Sequence, residues 1–194
     1  MFSNSKMCCK YVAETADEFR KNLRLLKEPN VFDLTELEKS LKECNFSIFY
    51  NQDVKTISSY ENKIGSEQLH HYNTSITKKN GFSHKYLHFA SQRPDTNIEI
   101  YNYICFLKIV FYEFFLWIID SCNIEILYGL SLHDASRLFQ LTILLPEEDF
   151  LKSVIRNTEK ENDYAINIFK IANEFNISYY DVIVRGNQLE LFKR

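Results

Sequence analysis

The chain has 194 residues, 45% of them hydrophobic and 25% charged, which is the composition of a folded globular protein and excludes a largely disordered one. Its formal net charge of -3 lacks the basic excess that supports nonspecific nucleic-acid binding, so direct binding to DNA or RNA is not expected. Five widely spread cysteines without a C-x-x-C pair, and a polar N-terminus without an apolar signal segment, favour reduced thiols and a cytoplasmic location.

The N-terminal part of the chain predicts two helices and then a strand. Apolar side chains in residues 14–26 recur at helical spacing, and Pro29 is expected to end that helix because its ring cannot continue one. Asp33 is a suitable N-cap for a second helix, in which residues 34–41 carry leucines on one face. Residues 45–50 then alternate as a half-buried strand does.

A β-hairpin is predicted next in the chain. An Asn-Gly pair at residues 80–81 separates two alternating runs, and Asn-Gly is the strongest short hairpin signal. Residues 83–90 alternate as a strand, which places His84, Tyr86 and His88 on one face.

The most apolar stretch, residues 98–119, predicts a buried central helix. It is long enough to suggest a membrane span, but it carries Glu99, Lys108 and Glu113. Each charge near a bilayer centre costs about 2.5 to 3.5 kcal/mol, so a span is disfavoured. The side chains expected to be largely buried in this helix are Leu107, Phe111, Phe114, Phe115, Trp117 and Ile118.

Four helices are predicted in the C-terminal part. Ser131 is a suitable N-cap for a helix that Pro146 closes, and residues 147–149 are acidic, as the first turn of a following helix often is. Residues 167–191 then predict two short helices joined near Asn176, with Ser178 as the N-cap of the second, in a hairpin of helix-turn-helix shape.

These elements together predict an α+β fold that is mostly helical, with a small sheet, a central buried helix and a C-terminal helical hairpin. Residues 1–97 hold the N-terminal helices, strand and hairpin. Residues 98–194 form the helical remainder, and both regions are expected to belong to one compact domain.

Two C-terminal stretches carry a resemblance to a known family. Residues 138–150, LFQLTILLPEEDF, have a helix that closes in Leu-Leu-x-Pro before an acidic helix start. Residues 171–191, IANEFNISYYDVIVRGNQLEL, have an Ala-x-x-Phe helix, a turn, and a helix with an arginine before a Leu-x-Leu close. In this order they resemble the ImmA/IrrE family, metallopeptidase-like proteins found with phage, mobile-element and stress regulators.

The resemblance implies a degenerate zinc site. The family's H-E-x-x-H helix would fall at residues 112–116, with Tyr112 and Leu116 at the two histidine positions and Glu113 at the general-base position. The third ligand position would fall at His133. Catalytic zinc needs three protein ligands, and leucine offers none. The resemblance therefore implies no metal cofactor and a vestigial, non-catalytic Glu113.

These positions also have structural interpretations. A carboxylate in an apolar helix must find a partner or stay protonated, and Lys108, Arg137 or Tyr112 is expected to pair with Glu113. Core packing explains Tyr112 without a site, and a surface or capping role explains His133.

A second histidine group provides an alternative metal site. His84 and His88 have the i, i+4 spacing of a zinc helix, and His70 and His71 lie upstream. The general-base position between the pair holds Lys85, whose positive charge opposes a metal ion. A solvated strand face is the competing interpretation.

The sequence thus predicts a catalytically inactive, ImmA/IrrE-like bacterial regulator of phage or mobile-element type, cytoplasmic and without membrane association. Active members of the resembled family recognise and cleave helix-turn-helix repressors, so this chain is expected to bind such a protein partner without cleaving it. Two alternatives stay open. One is an active zinc metallopeptidase with an unorthodox site built from His84, His88 and His133. The other is a DNA-binding regulator that reads bases from residues 168–191 with Arg185, Asn187 and Gln188.

Overall fold

The structure is a computed structural model that describes residues 2–25, 30–52, 58–60, 70–79, 81–94, 100–121, 130–159 and 165–192. Within these residues lie seven helices and six strands, which confirms a mostly helical α+β fold. In chain order they are α1 (Phe2–Lys21), α2 (Leu34–Glu43), β1 (Phe46–Phe49), β2 (Ser58–Tyr60), β3 (His70–Lys79), β4 (Phe82–Phe89), α3 (Ile100–Ser121), α4 (Leu132–Leu144), α5 (Glu147–Arg156), β5 (Thr158–Glu159), β6 (Ala165–Ile166), α6 (Ile168–Glu174) and α7 (Tyr179–Gln188).

The chain divides into two units. The sheet unit comprises Asn22–Leu25 and Val31–Ile126, and the helical unit comprises Met1–Lys21, Leu26–Asn30 and Leu127–Arg194. The division does not follow a boundary after residue 97, because α1 groups with the C-terminal helices and α3 groups with the sheet.

The sheet unit contains a four-stranded sheet in the order β1-β4-β3-β2. Strands β3 and β4 form the predicted antiparallel hairpin, and β1 pairs with β4 in parallel. Gly81 in the hairpin turn has φ of 82°, a conformation that glycine adopts without strain, while Asn80 lies outside the described residues.

Helix α3 is the predicted central helix, and it packs on one face of the sheet. Phe114 contacts Phe46 of β1 with ring centroids 5.5 Å apart, and Phe106 contacts Phe89 of β4 at 5.0 Å. Of the six side chains expected to be buried, five are buried, and Ile118 is half-buried. Among the described residues, none of the helices has the length and apolar character needed to cross a membrane.

Helix α2 starts as predicted. The Asp33 carboxylate accepts hydrogen bonds from the backbone N–H groups of Thr35 and Glu36, which satisfies donors that a helix start leaves open. The preceding segment is tied to α3, because the Tyr103 hydroxyl donates to Phe32 O at 2.9 Å and accepts from Phe32 N at 3.0 Å.

The prediction for the first helix was wrong at both ends. Helix α1 begins at Phe2 and ends at Lys21, whereas the apolar spacing indicated residues 14–26. Beyond Lys21 the chain turns at Asn22 and bends at Leu23 before an antiparallel bridge between Leu25 and Phe32. The helix therefore stops well before Pro29, which lies outside the described residues.

The predicted caps of the helical unit are confirmed. Ser131 Oγ accepts from Asp134 N at the start of α4, and Ser178 Oγ accepts from Asp181 N at the start of α7. Asn176, with φ of 53°, takes the left-handed conformation between α6 and α7. The C-terminal hairpin is thus formed where the sequence indicated it.

Candidate functional site

Glu113 is held in a buried ion pair with Lys85. Alternation along β4 turns Lys85 toward α3, and its Nζ donates to Glu113 Oε2 at 2.9 Å and to Glu113 O at 3.2 Å. The two residues are only 5% and 8% exposed. A charge pair removed from water in this way interacts more strongly than a surface pair, but it also carries a desolvation cost.

The partner of Glu113 is not one of those expected from the sequence. Lys108 is also buried in α3 but is not the cation paired with the carboxylate, and Arg137 lies in the helical unit, where it pairs with Asp181 at 3.6 Å. Lys85 was missed because its sequence context indicated a solvated strand. The pairing arises because β4 packs against α3. The helical spacing of apolar residues in α3 does not indicate which strand will pack there.

The residues at the two resembled histidine positions are half-buried on α3. Burial, with the nearby charge of Glu113, raises the pKa of the Tyr112 hydroxyl, so Tyr112 stays protonated at neutral pH. Leu116 has no atom that can coordinate a metal. The helix therefore presents one neutral phenol and one paired carboxylate where the resembled motif has two imidazoles and a free base.

His133 is exposed at the second position of α4, which belongs to the helical unit. Tyr112 and Glu113 belong to the sheet unit. Across the described part of the chain, no three His, Cys, Asp or Glu residues form a group that could hold a metal ion.

His84 and His88 lie on one face of β4, as the alternation predicted. Each imidazole is hydrogen-bonded through Nε2 to a serine hydroxyl at 2.9 Å, His84 to Ser47 and His88 to Ser75. Burial, with the positive charge of Lys42, lowers the pKa of His84. The side chains of His70 and His71 are outside the described part of the structure.

The face of the sheet opposite α3 is rich in rings and hydroxyls. We call it the outer sheet face and define it by the described side chains that alternation and register place there: Ser47, Phe49, Asn73, Ser75, Thr77, Phe82, His84, Tyr86 and His88. The contributions of β1 and β3 were not predicted, because they follow from strand register and not from any local motif.

An exposed aromatic cluster lies on the C-terminal hairpin. Phe169 of α6 is 68% exposed and contacts the exposed Tyr179 of α7, with ring centroids 5.6 Å apart. The Arg137 guanidinium lies 4.6 Å from the ring centroid of the exposed Tyr180. These four residues are called the aromatic cluster.

Arg185, one of the three candidate base readers of the DNA-binding alternative, points into the helical unit, whereas Asn187 is exposed on α7. Arg185 is buried, and its Nε donates to Leu145 O at 3.0 Å. Burial lowers its pKa to about 10, so the guanidinium remains charged at neutral pH. A side chain in this position serves the packing of α7 and is not available to a DNA groove.

Neither a protein-family model, nor a curated protein, nor a solved structure matches this chain.

Proposed function

We propose that this protein is a catalytically inactive, ImmA/IrrE-like regulator that binds a protein partner, such as a helix-turn-helix repressor of a phage or mobile element. The ion pair between Lys85 and Glu113 carries the proposal. In this pair Lys85 binds Glu113, the side chain that the resembled motif would use as its general base.

The chemistry of metal-dependent hydrolysis explains why this pairing matters. Such hydrolysis uses a metal ion to lower the pKa of bound water, and a free carboxylate to take its proton. Here the Glu113 carboxylate already neutralises a lysine ammonium 2.9 Å away. The Lys85 ammonium places a positive charge directly beside the Glu113 carboxylate. Unlike a metal ion, an ammonium group cannot act as a Lewis acid that binds and activates water. The role of Glu113 in this proposal is therefore to stabilise the fold, and not to take a proton from water.

The zinc-peptidase alternative has less support. His84 and His88 are four residues apart on a strand, which separates their Cα atoms by about 13 Å. Zinc-nitrogen bonds are about 2.0 to 2.1 Å long, so two imidazoles on this spacing are poorly placed to share one ion. Their hydrogen bonds to Ser47 and Ser75 give both rings a role on the sheet.

The DNA-binding alternative is weakened by the surface of α7. Its first turn exposes Tyr179 and Tyr180, its arginine is buried, and of its two amide side chains only Asn187 is exposed. Base readout and phosphate contacts depend on exposed arginine, lysine and amide side chains. Tyrosine and arginine are instead the residue types enriched at energetically dominant positions of protein interfaces. The aromatic cluster thus favours a protein partner.

An affinity capture with three baits tests the proposal. The wild-type chain, a Phe169→Ser/Tyr179→Ser variant and an Ile155→Ser control are each incubated with lysate of the native host. Ile155 is a suitable control because it is 75% exposed in the same unit. We expect wild type and control to retain a helix-turn-helix repressor, identified by mass spectrometry, that the cluster variant loses.

Measurements of zinc and DNA binding test the two alternative functions. Protein purified without a His tag and exposed to zinc is expected to retain far less than one equivalent after gel filtration. Stoichiometric zinc that is lost in a His84→Ala/His88→Ala variant would favour the peptidase alternative. Salt-sensitive retention of DNA by the wild-type chain would favour the DNA-binding alternative.

A further inference from the structure

The aromatic cluster contains a cation whose hydrogen-bond donors are unused. Arg137 Nη2 lies 3.6 Å from Asp181 Oδ1, which is close enough for an ion pair but too far for a hydrogen bond. Within the described part of the chain the Arg137 guanidinium donates no hydrogen bond, although an arginine carries five N–H groups. Its side chain is only 24% exposed, so burial has removed part of the water that would otherwise accept these bonds. The site therefore favours an incoming acceptor.

The guanidinium is held in place by the first turn of α7. The Tyr180 ring centroid lies 4.6 Å from Arg137 Cζ, and Asp181, directly after Tyr180, is buried. The Asp181 carboxylate is itself positioned by Ser178, whose Oγ donates to Asp181 Oδ2 at 2.6 Å. A cation that is fixed before binding loses little conformational freedom when an anion joins it, which lowers the entropic cost of association.

Exposed rings lie beside this cation. Phe169 and Tyr179 contact each other, Tyr179 directly precedes Tyr180 in the chain, and all three rings are exposed. A single-stranded nucleic acid also stacks its bases on rings, but its phosphates need a row of cations, and the four residues of the cluster include one. One guanidinium beside three exposed rings matches instead a peptide that carries an acidic residue next to an apolar one.

We infer that the aromatic cluster recognises an acidic segment of the protein partner. In this segment the carboxylate of an aspartate or glutamate binds Arg137, and a neighbouring apolar side chain packs on Phe169 and Tyr179. The planar guanidinium fork fits a carboxylate through two parallel N–H···O bonds, a geometry that the distant Asp181 leaves unused. The inference rests on the proposed function, because it describes the part of the partner that the cluster contacts.

Selection from a phage-displayed library of random peptides tests the recognition without knowledge of the partner. The library is first depleted on the Phe169→Ser/Tyr179→Ser variant and then selected on the wild-type full chain. We expect the enriched peptides to share an acidic residue beside an aromatic or aliphatic one. Arg156→Gln is the matched control, because Arg156 lies in the same unit but already donates to Glu174 at 2.7 Å. It should select the same peptides, whereas Arg137→Gln should select without a preference for acid.

Fluorescence polarisation of one enriched peptide separates recognition by Arg137 from a purely structural role. The peptide is compared with a counterpart that has the corresponding amide in place of its acid. Wild type should bind the amide peptide at least about tenfold more weakly, because the charge-assisted pair is lost. Arg137→Gln should bind both peptides equally weakly, since the cation that distinguishes them is gone. A residue that only supported the fold would weaken both peptides by one factor and preserve the preference.

An Arg137→Lys variant repeats the comparison with the charge kept, in case Arg137→Gln fails to fold as judged by circular dichroism. It should discriminate less than wild type, because an ammonium lacks the planar fork.

Three results would overturn the acidic segment: no enrichment of peptides, enriched peptides without acid, or a preference for acid that persists in Arg137→Gln. Displacement of the peptide by a single-stranded oligonucleotide at equal concentration would also overturn it, in favour of a nucleic acid. The proposed function would still be supported if the wild-type chain captured a helix-turn-helix repressor that the cluster variant loses. Failure of that capture with the preference for acid intact would contradict the repressor alone.

Discussion

At the scale of single residues, the most consequential interaction is the one that joins Lys85 to Glu113. Each charge has left water, and each is tolerated in the core because the other is 2.9 Å away. Such a pair contributes little net stability compared with apolar residues of the same volume, but removing one member leaves an uncompensated buried charge.

Glu113→Gln is therefore expected to destabilise the protein by about 3 to 5 kcal/mol, although glutamine preserves shape and hydrogen bonding. Lys85→Met should cost a similar amount, while a Lys85→Met/Glu113→Gln variant should cost clearly less than the sum of the two single changes. Urea denaturation of the four proteins measures the coupling. The exposed pair of Glu148 and Lys152 is the control, and its neutralisation should have little effect. Additive losses at positions 85 and 113 would contradict the pairing.

A second residue-scale prediction concerns acid stability. Burial raises the pKa of Glu174, but hydrogen bonds from Arg156, Ser153 and Asn157 outweigh burial and hold that pKa below its ordinary value of 4.5. The folded state thus favours the charged carboxylate. Its contribution is present above the unfolded-state pKa and is lost as pH falls through the lower folded-state pKa.

Melting temperatures measured from pH 7 down to about pH 3 should show this loss in the wild-type chain. A Glu174→Gln variant should melt lower at neutral pH and show a smaller further decrease on acidification. Parallel pH profiles for the two proteins would mean that Glu174 titrates alike in the folded and unfolded states.

At the scale of elements, the end of α7 depends on a close approach. A methyl group added at Gly186 would run into the Phe192 ring, and Gly186 O accepts a hydrogen bond from Leu191 N at 2.8 Å. Gly186→Ala is expected to displace Phe192 and to cost about 1 to 3 kcal/mol, as overpacking does.

A Phe192→Ala background tests whether the Phe192 ring causes the loss of stability in Gly186→Ala. In a Phe192→Ala background the same Gly186→Ala change should cost much less, because the obstructing ring is gone and alanine favours a helix over glycine. Denaturation midpoints of the four proteins check the coupling. An equal cost in both backgrounds would place the effect elsewhere in α7.

The elements differ in how well the sequence predicts them. Caps such as Asp33 and Ser178 act on their own helix starts, so local patterns were sufficient to locate α2 and α7. The start of α1 was missed because its first residues lack apolar spacing. Strand register and the position of α3 over β4 are long-range, and the partnership of Lys85 with Glu113 depends on both.

At the scale of the whole molecule, the first helix belongs with the last four. Helix α1 contributes the buried Val12 and Ala16 to the helical unit, and its Phe19 contacts Phe139 of α4 with ring centroids 6.3 Å apart. Residues more than a hundred positions apart in the chain therefore share one core.

Deletion of residues 1–21 should then destabilise α4 to α7 although it removes none of them. We expect faster proteolysis within residues 130–192 and loss of helical circular dichroism beyond that of the deleted helix, because apolar side chains of α4 would be exposed. A synthetic peptide of residues 1–21 should restore part of the protection. A truncated chain as resistant as the full one would show that α1 is dispensable for the helical unit.

Binding without cleavage is tested most directly by the intact mass of the partner. The captured partner is incubated with the wild-type chain and zinc, with and without a chelator, at a temperature where wild type and Glu113→Gln are both folded. The partner is predicted to stay intact and bound in every sample. Chelator-sensitive cleavage by wild type that Glu113→Gln abolishes would contradict the inactive regulator, because Glu113 would then be acting as a general base despite its pairing with Lys85.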